Sequence, residues 1–339
     1  MPKLSILDQS TAARGTPPDQ AIRDTIELAQ VCEGLGYHRF WVSEHHDHPS
    51  IVGTAPEIIM AAIGQTTNRI RIGSAGVMLP HYSPLKVAEQ FRVLEAIAPG
   101  RIDLGLGRAP GSDGKTALAL NRDAALDAEH FPANVRDLMA WVSGEELMEG
   151  HPFRGVEAHP MFPGSPEVWM LGTSDYGAQI AAHFGLPYCF AHFITDGRGT
   201  ETALTLYRGN YKPSARYPEP LSSVCIWALA AETEEKANQL FWSRAHARLM
   251  RQTGRRGPML PPDEAAAQDY SPAEREWLDN YRTQAIVGAG DQVYAELTAR
   301  AEAYGADEVV VLTWCHDQAD RRRSYELLAD AAGLTASGS

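Results

Sequence analysis

The segment Phe40-Trp41-Val42-Ser43-Glu44-His45-His46 shows how this chain is organised, because an apolar run ends directly in one carboxylate and two imidazoles. A second apolar run, residues 102–107, ends in Arg108 in the same way. Polar groups at the carboxyl ends of several parallel strands are how a (β/α) barrel builds its active site. The shared position of these side chains therefore predicts a barrel with a functional site at that end.

Short apolar runs alternate with amphipathic, helix-like stretches along nearly the whole of the 339 residues. Because each parallel strand needs a crossover connection, this alternation predicts a parallel sheet. About eight runs are predicted as strands, at residues 4–7, 40–43, 70–80, 101–107, 168–171, 188–191, 223–231 and 308–314. That number favours an α/β fold of the closed (β/α)8 TIM-barrel type, although an open doubly wound sheet has the same local pattern.

Two long segments have no strand pattern of their own. The first is a connection with helical patches at about residues 109–165, and the second is an insertion at about residues 251–285. Loops of that length inside a compact domain are usually lids or binding loops. We therefore expect both at the C-terminal face of a single barrel domain spanning residues 1–335, followed by a short flexible tail at residues 336–339.

Composition narrows the possible partners of the protein. The chain has 43 acidic and 30 basic side chains and a formal net charge of −13, which disfavours nucleic acid as a partner. Its four cysteines are far apart and form no CxxC pair, as expected for reduced thiols. No apolar run is long enough for a membrane span, and residues 1–4 do not begin an apolar leader. We therefore expect a cytoplasmic protein with no membrane partner.

The histidines after the second predicted strand have three interpretations. An imidazole titrates near neutral pH, so His45 is usable as a general acid or base. Histidines in a loop are, individually, more often simply solvated. His46 and His48 could instead share a divalent metal ion, whereas His45 and His46 could not easily do so, because adjacent strand residues point to opposite sides. The geometry favours an interpretation without a metal.

Residues 109–116 differ from the triphosphate-loop pattern G-x-x-x-x-G-K-[ST] only by Ala109 in place of the first glycine. Against that function, Pro110 lacks one of the backbone donors with which such a loop cradles phosphate. None of the later predicted strands ends in the aspartate expected to help hold Mg²⁺. Binding of a nucleoside triphosphate is therefore disfavoured.

A second strand-to-helix turn suits an anion better. Gly172, Thr173 and Ser174 follow the fifth predicted strand, where small hydroxyl residues are also ordinary helix N-caps. The turn presents backbone N–H groups, two hydroxyls and the positive end of the helix to a negatively charged ligand. Together with Arg108, whose guanidinium suits phosphate oxygens, it would form a phosphate cup.

Ser74, Ala75 and Gly76 interrupt the third predicted strand. A glycine inside a strand usually marks a bulge or a place where something lies close against the backbone. No G-x-G-x-x-G fingerprint opens a strand–helix–strand unit, so tight Rossmann-type binding of a nicotinamide dinucleotide is not supported. The break is therefore a candidate contact for a flat ligand of another kind.

The chain resembles the bacterial-luciferase-like flavin-dependent monooxygenases over nearly its whole length. The resemblance is densest in residues 37–46 (YHRFWVSEHH), 73–84 (GSAGVMLPHYSP) and 98–112 (APGRIDLGLGRAPGS). It implies a (β/α)8 barrel, usually dimeric, that binds FMN at its C-terminal mouth and often receives reduced FMN from a separate flavin reductase. The implied reaction is monooxygenation of a small organic substrate with O₂ through a C4a-(hydro)peroxyflavin.

The resemblance also implies roles for individual residues. His45 corresponds to the histidine beside the flavin that assists the oxygen chemistry, with Glu44 and His46 shaping the same wall. Arg108 corresponds to the phosphate-binding arginine, and residues 172–174 correspond to the phosphate cup at the start of a helix. Residues 74–76 correspond to the segment that supports the isoalloxazine, where some members have a non-proline cis peptide.

One segment departs from the pattern of the family. Residues 186–193 differ from the sequence common in relatives, and with residues 194–196 they should face the substrate side. No relative's substrate can therefore be transferred, and light emission is not implied.

Three other functions remain open from the sequence. Related barrels hold a deazaflavin for hydride transfer in the same mouth, and a non-catalytic flavin-binding protein could use the same fold. A metal-dependent hydrolase would need His46 and His48 as ligands.

Overall fold

The computed structural model describes residues 1–109 and 113–335. Within them every pairing between strands is parallel. The strands are β1 (Lys3–Asp8), β2 (Arg39–Val42), β3 (Arg71–Ser74), β4 (Val77–Met78), β5 (Ile102–Gly107), β6 (Glu167–Gly172), β7 (Tyr188–Phe190), β8 (Ser222–Ala231), β9 (Ile286–Ala289) and β10 (Glu308–Leu312). Each predicted run contains a strand, and one run contains both β3 and β4.

The strands close into a barrel because β10 pairs with β1 on one side and with β8 on the other. Around the ring the order is β1, β2, β3 with β4, β5, β6, β7, β8 and β10, which makes eight positions. The predicted (β/α)8 barrel is therefore confirmed. The prediction missed β9, which pairs with residues 228–231 of β8, beyond the part of that strand that pairs with β10.

Helices occupy the intervals between the strands. They are α1 (Pro18–Leu35), α2 (Pro56–Thr66), α3 (Pro84–Ile97), α4 (Gly114–Leu120), α5 (Ala124–Glu129), α6 (Phe131–Ser143), α7 (Asp175–Phe184), α8 (His192–Thr195), α9 (Thr200–Gly209), α10 (Glu234–Gln252), α11 (Pro262–Ala266), α12 (Pro272–Gln284), α13 (Gly290–Tyr304) and α14 (Gln318–Ala332), with a short 3-10 helix at Leu79–His81. The long connection thus holds α4 to α6, and the insertion holds α11 and α12. The tail at residues 336–339 lies outside the described residues.

The ends of α1 illustrate why these helices form where they do. Pro18 begins the helix, at a position where the missing N–H would have had no partner in any case. Gly36 ends it in the left-handed conformation, at φ 90°, which a side chain would disfavour. The first three helices after strands all begin at a proline in this way.

Side chains alternate along each strand between the helices outside the barrel and the barrel interior. Ile6 and Phe40 are fully buried in the outer layer, between strands and helices. Their neighbours Leu7 and Trp41 belong to a second apolar cluster, which fills the interior and extends to the carboxyl-terminal mouth. We call it the mouth cluster. Because both faces of the strands are buried, the strands read as continuous apolar runs.

Charged residues near the amino ends of the strands close the end of the barrel that lies opposite the carboxyl-terminal mouth. Arg39 Nη1 lies 2.8 Å from Asp103 Oδ2, and Arg39 Nε lies 3.2 Å from Glu308 Oε2. Arg71 Nη2 lies 3.1 Å from Glu167 Oε1 and also binds Asp103. These buried charges are acceptable because they satisfy one another. Access to the interior is therefore from the other end.

Two tryptophans fill the middle of the barrel. The rings of Trp41 and Trp169 meet edge to face, with centroids 5.2 Å apart. Trp41 Nε1 donates to Asp103 Oδ2 at 2.9 Å. A Cβ atom at Gly73 would lie 2.5 Å from the Trp41 ring, so this glycine makes room for the indole. Side chains thus fill the interior up to the two tryptophans, and any ligand must lie between them and the carboxyl-terminal mouth.

All four cysteines are buried and free of disulfide bonds. Burial raises the pKa of the Cys189 thiol to about 12, which makes it unreactive at neutral pH. The burial of all four side chains indicates that they act as small core residues.

Across residues 1–109 and 113–335, the helices are all too short or too polar to cross a lipid bilayer.

Candidate active site

The carboxyl ends of four neighbouring strands bring the predicted site residues to one end of the barrel. Glu44 and His45 follow β2, and Ala75 and Gly76 lie between β3 and β4. Arg108 follows β5, and the turn at residues 172–174 ends β6. We call this end the mouth.

The break between β3 and β4 is held in place by its neighbours. The peptide bond between Ala75 and Gly76 is cis, and the Ala75 N–H donates to the Val42 carbonyl at 2.8 Å. Ser74 Oγ is buried and makes two hydrogen bonds of 3.0 Å with the backbone N–H and C=O of Gly105. The Ser74 side chain therefore fixes the break to β5. Ala75 and Gly76 are partly exposed, and Ala75 packs against the mouth cluster.

Glu44 is buried, and its hydrogen bonds connect the loop after β2 to the segment around β4. Its Oε1 accepts from Tyr82 and lies 2.8 Å from His46 Nε2, while its Oε2 accepts from the Met78 N–H at 3.0 Å. Burial, followed by the adjacent Glu44 charge, raises the pKa of Tyr82 well above its ordinary value. Both carboxylate oxygens are thus occupied by protein donors. The role of Glu44 as a direct cofactor contact stays a prediction.

His45 follows Glu44 in the sequence and is only partly buried. Its backbone N–H donates to the Gly53 carbonyl at 3.0 Å, and its Nδ1 lies 3.2 Å from Ser43 Oγ. Burial lowers the pKa of His45 to about 4, with further repulsion from His48 and Arg251. The imidazole is therefore neutral at neutral pH, with one ring N–H that can donate a hydrogen bond and one ring nitrogen that can accept a hydrogen bond or a proton.

His46 and His48 are not arranged as a pair of metal ligands. His46 Nε2 is held by Glu44, and His48 Nδ1 accepts the N–H groups of Ser50 and Ile51 at 3.1 and 3.0 Å. In the described part of the chain, no three His, Cys, Asp or Glu side chains are placed to hold a metal ion. These contacts count against the hydrolase alternative.

Arg108 joins the two halves of the predicted phosphate cup. Its guanidinium carbon lies 4.1 Å from the centroid of the Tyr176 ring, in the first turn of α7. Ser174 is the N-cap residue of that helix, but its side chain makes no capping hydrogen bond. The first N–H groups of α7 therefore lack a side-chain acceptor and lie beside an exposed guanidinium, although Asp175 in the same turn adds a negative charge.

The start of α4, in the triphosphate-like segment, is less suited to an anion than the start of α7. Residues 110–112 lie outside the described residues. Asp113 caps α4, because its Oδ1 accepts the Thr116 N–H at 2.9 Å. A carboxylate at this helix start repels phosphate, which counts further against triphosphate binding.

The insertion lies across part of the mouth. Arg256 bridges two strand-end loops, at 2.9 Å from Asp47 Oδ2 and 3.0 Å from Asp113 Oδ2. The Met259 N–H donates to Ser50 Oγ at 3.1 Å, which anchors the insertion on the loop after β2. The predicted position of the insertion at the C-terminal face agrees with these contacts.

The segment after β7 is divided between two environments. Phe193 packs against the mouth cluster, as expected for the substrate side. His192 instead faces Tyr304 of α13, with ring centroids 5.9 Å apart, and its pKa is lowered to about 4 mainly by burial. The side chain of His192 thus packs against α13, and the expectation that the segment faces substrate stays a prediction.

Sequence reasoning missed Tyr82 and Tyr176. Tyr176 is two residues beyond Ser174, but its role depends on the pairing of β5 with β6, which lie about 60 residues apart. Tyr82 contacts Glu44 across 38 positions. Neither contact has a local pattern that could have indicated it.

A (β/α)8 barrel with a polar rim at its mouth defines a class of enzymes that bind their ligands at the carboxyl ends of the strands. A sequence profile of the luciferase-like monooxygenases matches residues 3–311, and the chain belongs to this family. It is therefore an oxidoreductase enzyme.

Two relatives match over nearly their full length. The chain is 42% identical to "Uncharacterized protein YwcH" of Bacillus subtilis (strain 168), over 98% of this chain and 99% of the relative. It is 33% identical to "N-acetyl-S-alkylcysteine monooxygenase" of the same organism, over 98% of each chain.

Solved structures extend the comparison. Apo-MsnO8 is 38% identical, with a TM-score of 0.88 and 98% of each chain covered. Two others, below 25% identity, share the fold alone. One is the oxygenating constituent of 3,6-diketocamphane monooxygenase from Pseudomonas putida in complex with FMN (18% identical, TM-score 0.72, 99% of each chain). The other is an F420-dependent secondary alcohol dehydrogenase (15% identical, TM-score 0.62, 97% of this chain and 98% of the other).

Proposed function

We propose that this enzyme is a flavin-dependent monooxygenase that uses reduced FMN and O₂ to oxygenate a small organic substrate. The contact of Arg108 with Tyr176, beside the uncapped first turn of α7, carries the proposal. A guanidinium and free backbone N–H groups at one place form a binding site for a phosphate. Riboflavin 5′-phosphate is a flat molecule with one such group, and the break at Ala75 and Gly76 is on a neighbouring strand end.

The residues of the mouth would divide the work as follows. Arg108, with Gly172, Thr173 and Ser174, would hold the phosphate, and the backbone at Ala75 and Gly76 would support the ring. When bound, reduced FMN supplies the electrons that activate O₂. His45, neutral at working pH, would hold or move a proton, and the apolar mouth cluster would exclude water.

The partners of the enzyme are part of the same proposal. The sequence lacks a Rossmann fingerprint, so we propose that a separate flavin reductase supplies reduced FMN. We also propose a cytoplasmic homodimer. One relative is named for N-acetyl-S-alkylcysteines, which are therefore the first substrates to test.

Hydride transfer with a deazaflavin is the second candidate, because one solved structure of this fold is F420-dependent. Titrating the protein with reduced FMN and with reduced F420 separates the two functions. Tight binding of F420 with no binding of FMN would contradict the proposal. Tight flavin binding with O₂ uptake but no product would indicate a non-catalytic flavin-binding protein.

The deciding experiment mixes the protein and reduced FMN with O₂ in a stopped-flow spectrometer and records any transient absorbance. We expect His45→Ala to bind reduced FMN nearly as well as the wild type. Its transient should be shorter-lived and its rate of substrate oxygenation lower by about 10²–10⁴-fold, the usual contribution of a general acid or base.

His183→Ala is a matched control, because His183 is an exposed histidine at the far end of α7. Equal decay of the transient in His45→Ala and His183→Ala would remove His45 from its assigned role.

A further inference from the structure

The mouth contains a second guanidinium, on the side opposite Arg108. Arg244 of α10 is only 5% exposed, and its guanidinium carbon lies 4.4 Å from the Trp314 ring centroid and 5.5 Å from that of Trp227. Trp227 points into the barrel from β8, and Trp314 follows β10. In the ring of strands, β10 lies across the barrel from β5, which carries Arg108.

Among the described residues, the charge of Arg244 has no counterion. No carboxylate among the described residues lies within ion-pair distance of it, and its buried Nε has no hydrogen-bond acceptor. The buried Nε1 of Trp227 also lacks an acceptor. Asp196 lies 2.7 Å from Arg248 of the same helix instead. A buried charge without a partner is costly, unless a ligand supplies the partner.

The two tryptophans do not satisfy this side chain. Rings over a guanidinium contact its faces, whereas its five N–H donors lie in its plane. The edge of Arg244 is therefore left for an acceptor. A carboxylate or sulfonate fits such an edge with two parallel hydrogen bonds.

Neighbouring residues of α10 strengthen the positive potential. Arg244, Arg248 and Arg251 are spaced by four and three positions, so they lie on one face of the helix. Partial desolvation, followed by repulsion from Arg248 and Arg244, lowers the pKa of Arg251. Arg248 Nη2 donates to the Ile194 carbonyl at 3.1 Å, so this face is directed towards the segment after β7. The formal net charge of the chain is −13, so the local excess of cations runs against the overall composition.

We infer that the substrate of this enzyme carries an anionic group, a carboxylate or sulfonate, that binds Arg244 across the mouth from Arg108. The inference rests on the proposed function, because it takes the mouth as the place where substrate meets cofactor. The apolar part of the substrate would lie against Trp227 and Trp314, and Arg251 on the same face of α10 would attract the anion electrostatically.

The test uses calorimetry on the full-length protein saturated with oxidised FMN. The probes are hexanoate, hexane-1-sulfonate and hexanamide, which share a chain and differ in charge. We expect both anions to bind at least about 10-fold more tightly than the amide, because hydrogen bonds to a charged group are the stronger ones. Arg244→Gln should lose about 10–100-fold in anion affinity and keep its affinity for the amide and for FMN.

Two further variants complete the design. Arg244→Lys keeps the charge but not the planar fork, and it should fall between the wild type and Arg244→Gln. Arg323→Gln is the matched control, since Arg323 is a partly exposed arginine on α14 that pairs with Glu232, and it should bind all three probes as the wild type does.

Several results would overturn the inference. They are equal affinity of the wild type for hexanoate and hexanamide, no detectable binding of either anion, or unchanged anion affinity in Arg244→Gln. A loss of FMN affinity instead of anion affinity in Arg244→Gln would assign this residue to the flavin and also overturn it. If Arg244→Gln does not fold, two results still test the inference. They are the preference of the wild type for the anions over hexanamide and the lower anion affinity of Arg244→Lys.

Failure of the proposed function gives a different pattern. Anion binding that depends on Arg244, with no transient when reduced FMN meets O₂, would leave the anion site in place and remove the monooxygenase. A normal transient with no preference for anions would support the monooxygenase and overturn the anion site.

Discussion

Arg108 and Tyr176 follow neighbouring strands, and their contact orients the guanidinium that we propose binds the phosphate. The ring supports one face of the guanidinium at 4.1 Å, so the side chain is oriented before any ligand binds. An oriented donor loses less entropy on binding than a mobile one. Its in-plane N–H groups remain available for phosphate oxygens.

Arg108→Gln tests this arrangement with two ligands that differ only in the phosphate. We expect the variant to bind FMN about 10–100-fold more weakly, because it loses charge-assisted hydrogen bonds. Its affinity for riboflavin should be unchanged. Flavin fluorescence titration measures both values, and an equal loss for the two ligands would show that Arg108 does not bind the phosphate.

Among the elements, β5 packs very closely against the break between β3 and β4. Its residue Gly105 lies so close to the break after β3 that a Cβ atom there would be 2.1 Å from the Ser74 carbonyl oxygen and 2.5 Å from Leu171 Cδ1. At Gly107, two positions along the same strand, the nearest atom would be 3.9 Å away. The two glycines therefore form a matched pair for mutation.

Gly105→Ala should lower the free energy of unfolding by about 1–3 kcal/mol, as expected for overpacking against backbone. It should also weaken FMN binding, since Ala75 and Gly76 would have to move. Gly107→Ala should change stability little, or raise it slightly by restricting the unfolded chain. Urea denaturation and flavin titration measure these effects, and similar stability losses in the two variants would contradict the close approach at Gly105.

The whole molecule holds several histidines in their neutral form. Burial is the main cause that lowers the pKa of His38, His45, His48 and His192 from the ordinary 6.5 to about 4. As pH falls below 6.5, the unfolded chain takes up protons at these positions while the folded protein does not. Stability from these groups is therefore complete above pH 6.5 and is lost as the pH falls towards 4, at no more than about 1.4 kcal/mol per pH unit for each group.

His192→Phe should make the free energy of unfolding less dependent on pH between 6.5 and 4, by about one proton. His192 is suited to this test because it is 5% exposed and packs against Tyr304 rather than in the mouth. Urea denaturation at several pH values gives the slope, with the exposed His183→Phe as control. Equal slopes in the two variants would show that His192 takes up its proton at the same pH in the folded and the unfolded protein, which contradicts a lowered pKa.

The barrel could be predicted because its pattern is local. Apolar runs such as residues 223–231 and their intervening helical stretches depend on residues close together in the sequence, and burial on both faces produces them. The short strand β9, with glycine at 288 and no long apolar run, had no such pattern and was missed. The position of His45 and Arg108 at strand ends follows from the same local pattern.

What the sequence determined by itself is the type of each element and the end of the barrel at which polar residues collect. What only the tertiary structure decided is which of these residues meet. Arg108 with Tyr176, Glu44 with Tyr82, and Arg244 between Trp227 and Trp314 all join segments far apart in the chain. Such contacts depend on the closure of the barrel and on packing between its strand ends, and no periodicity along the chain records them.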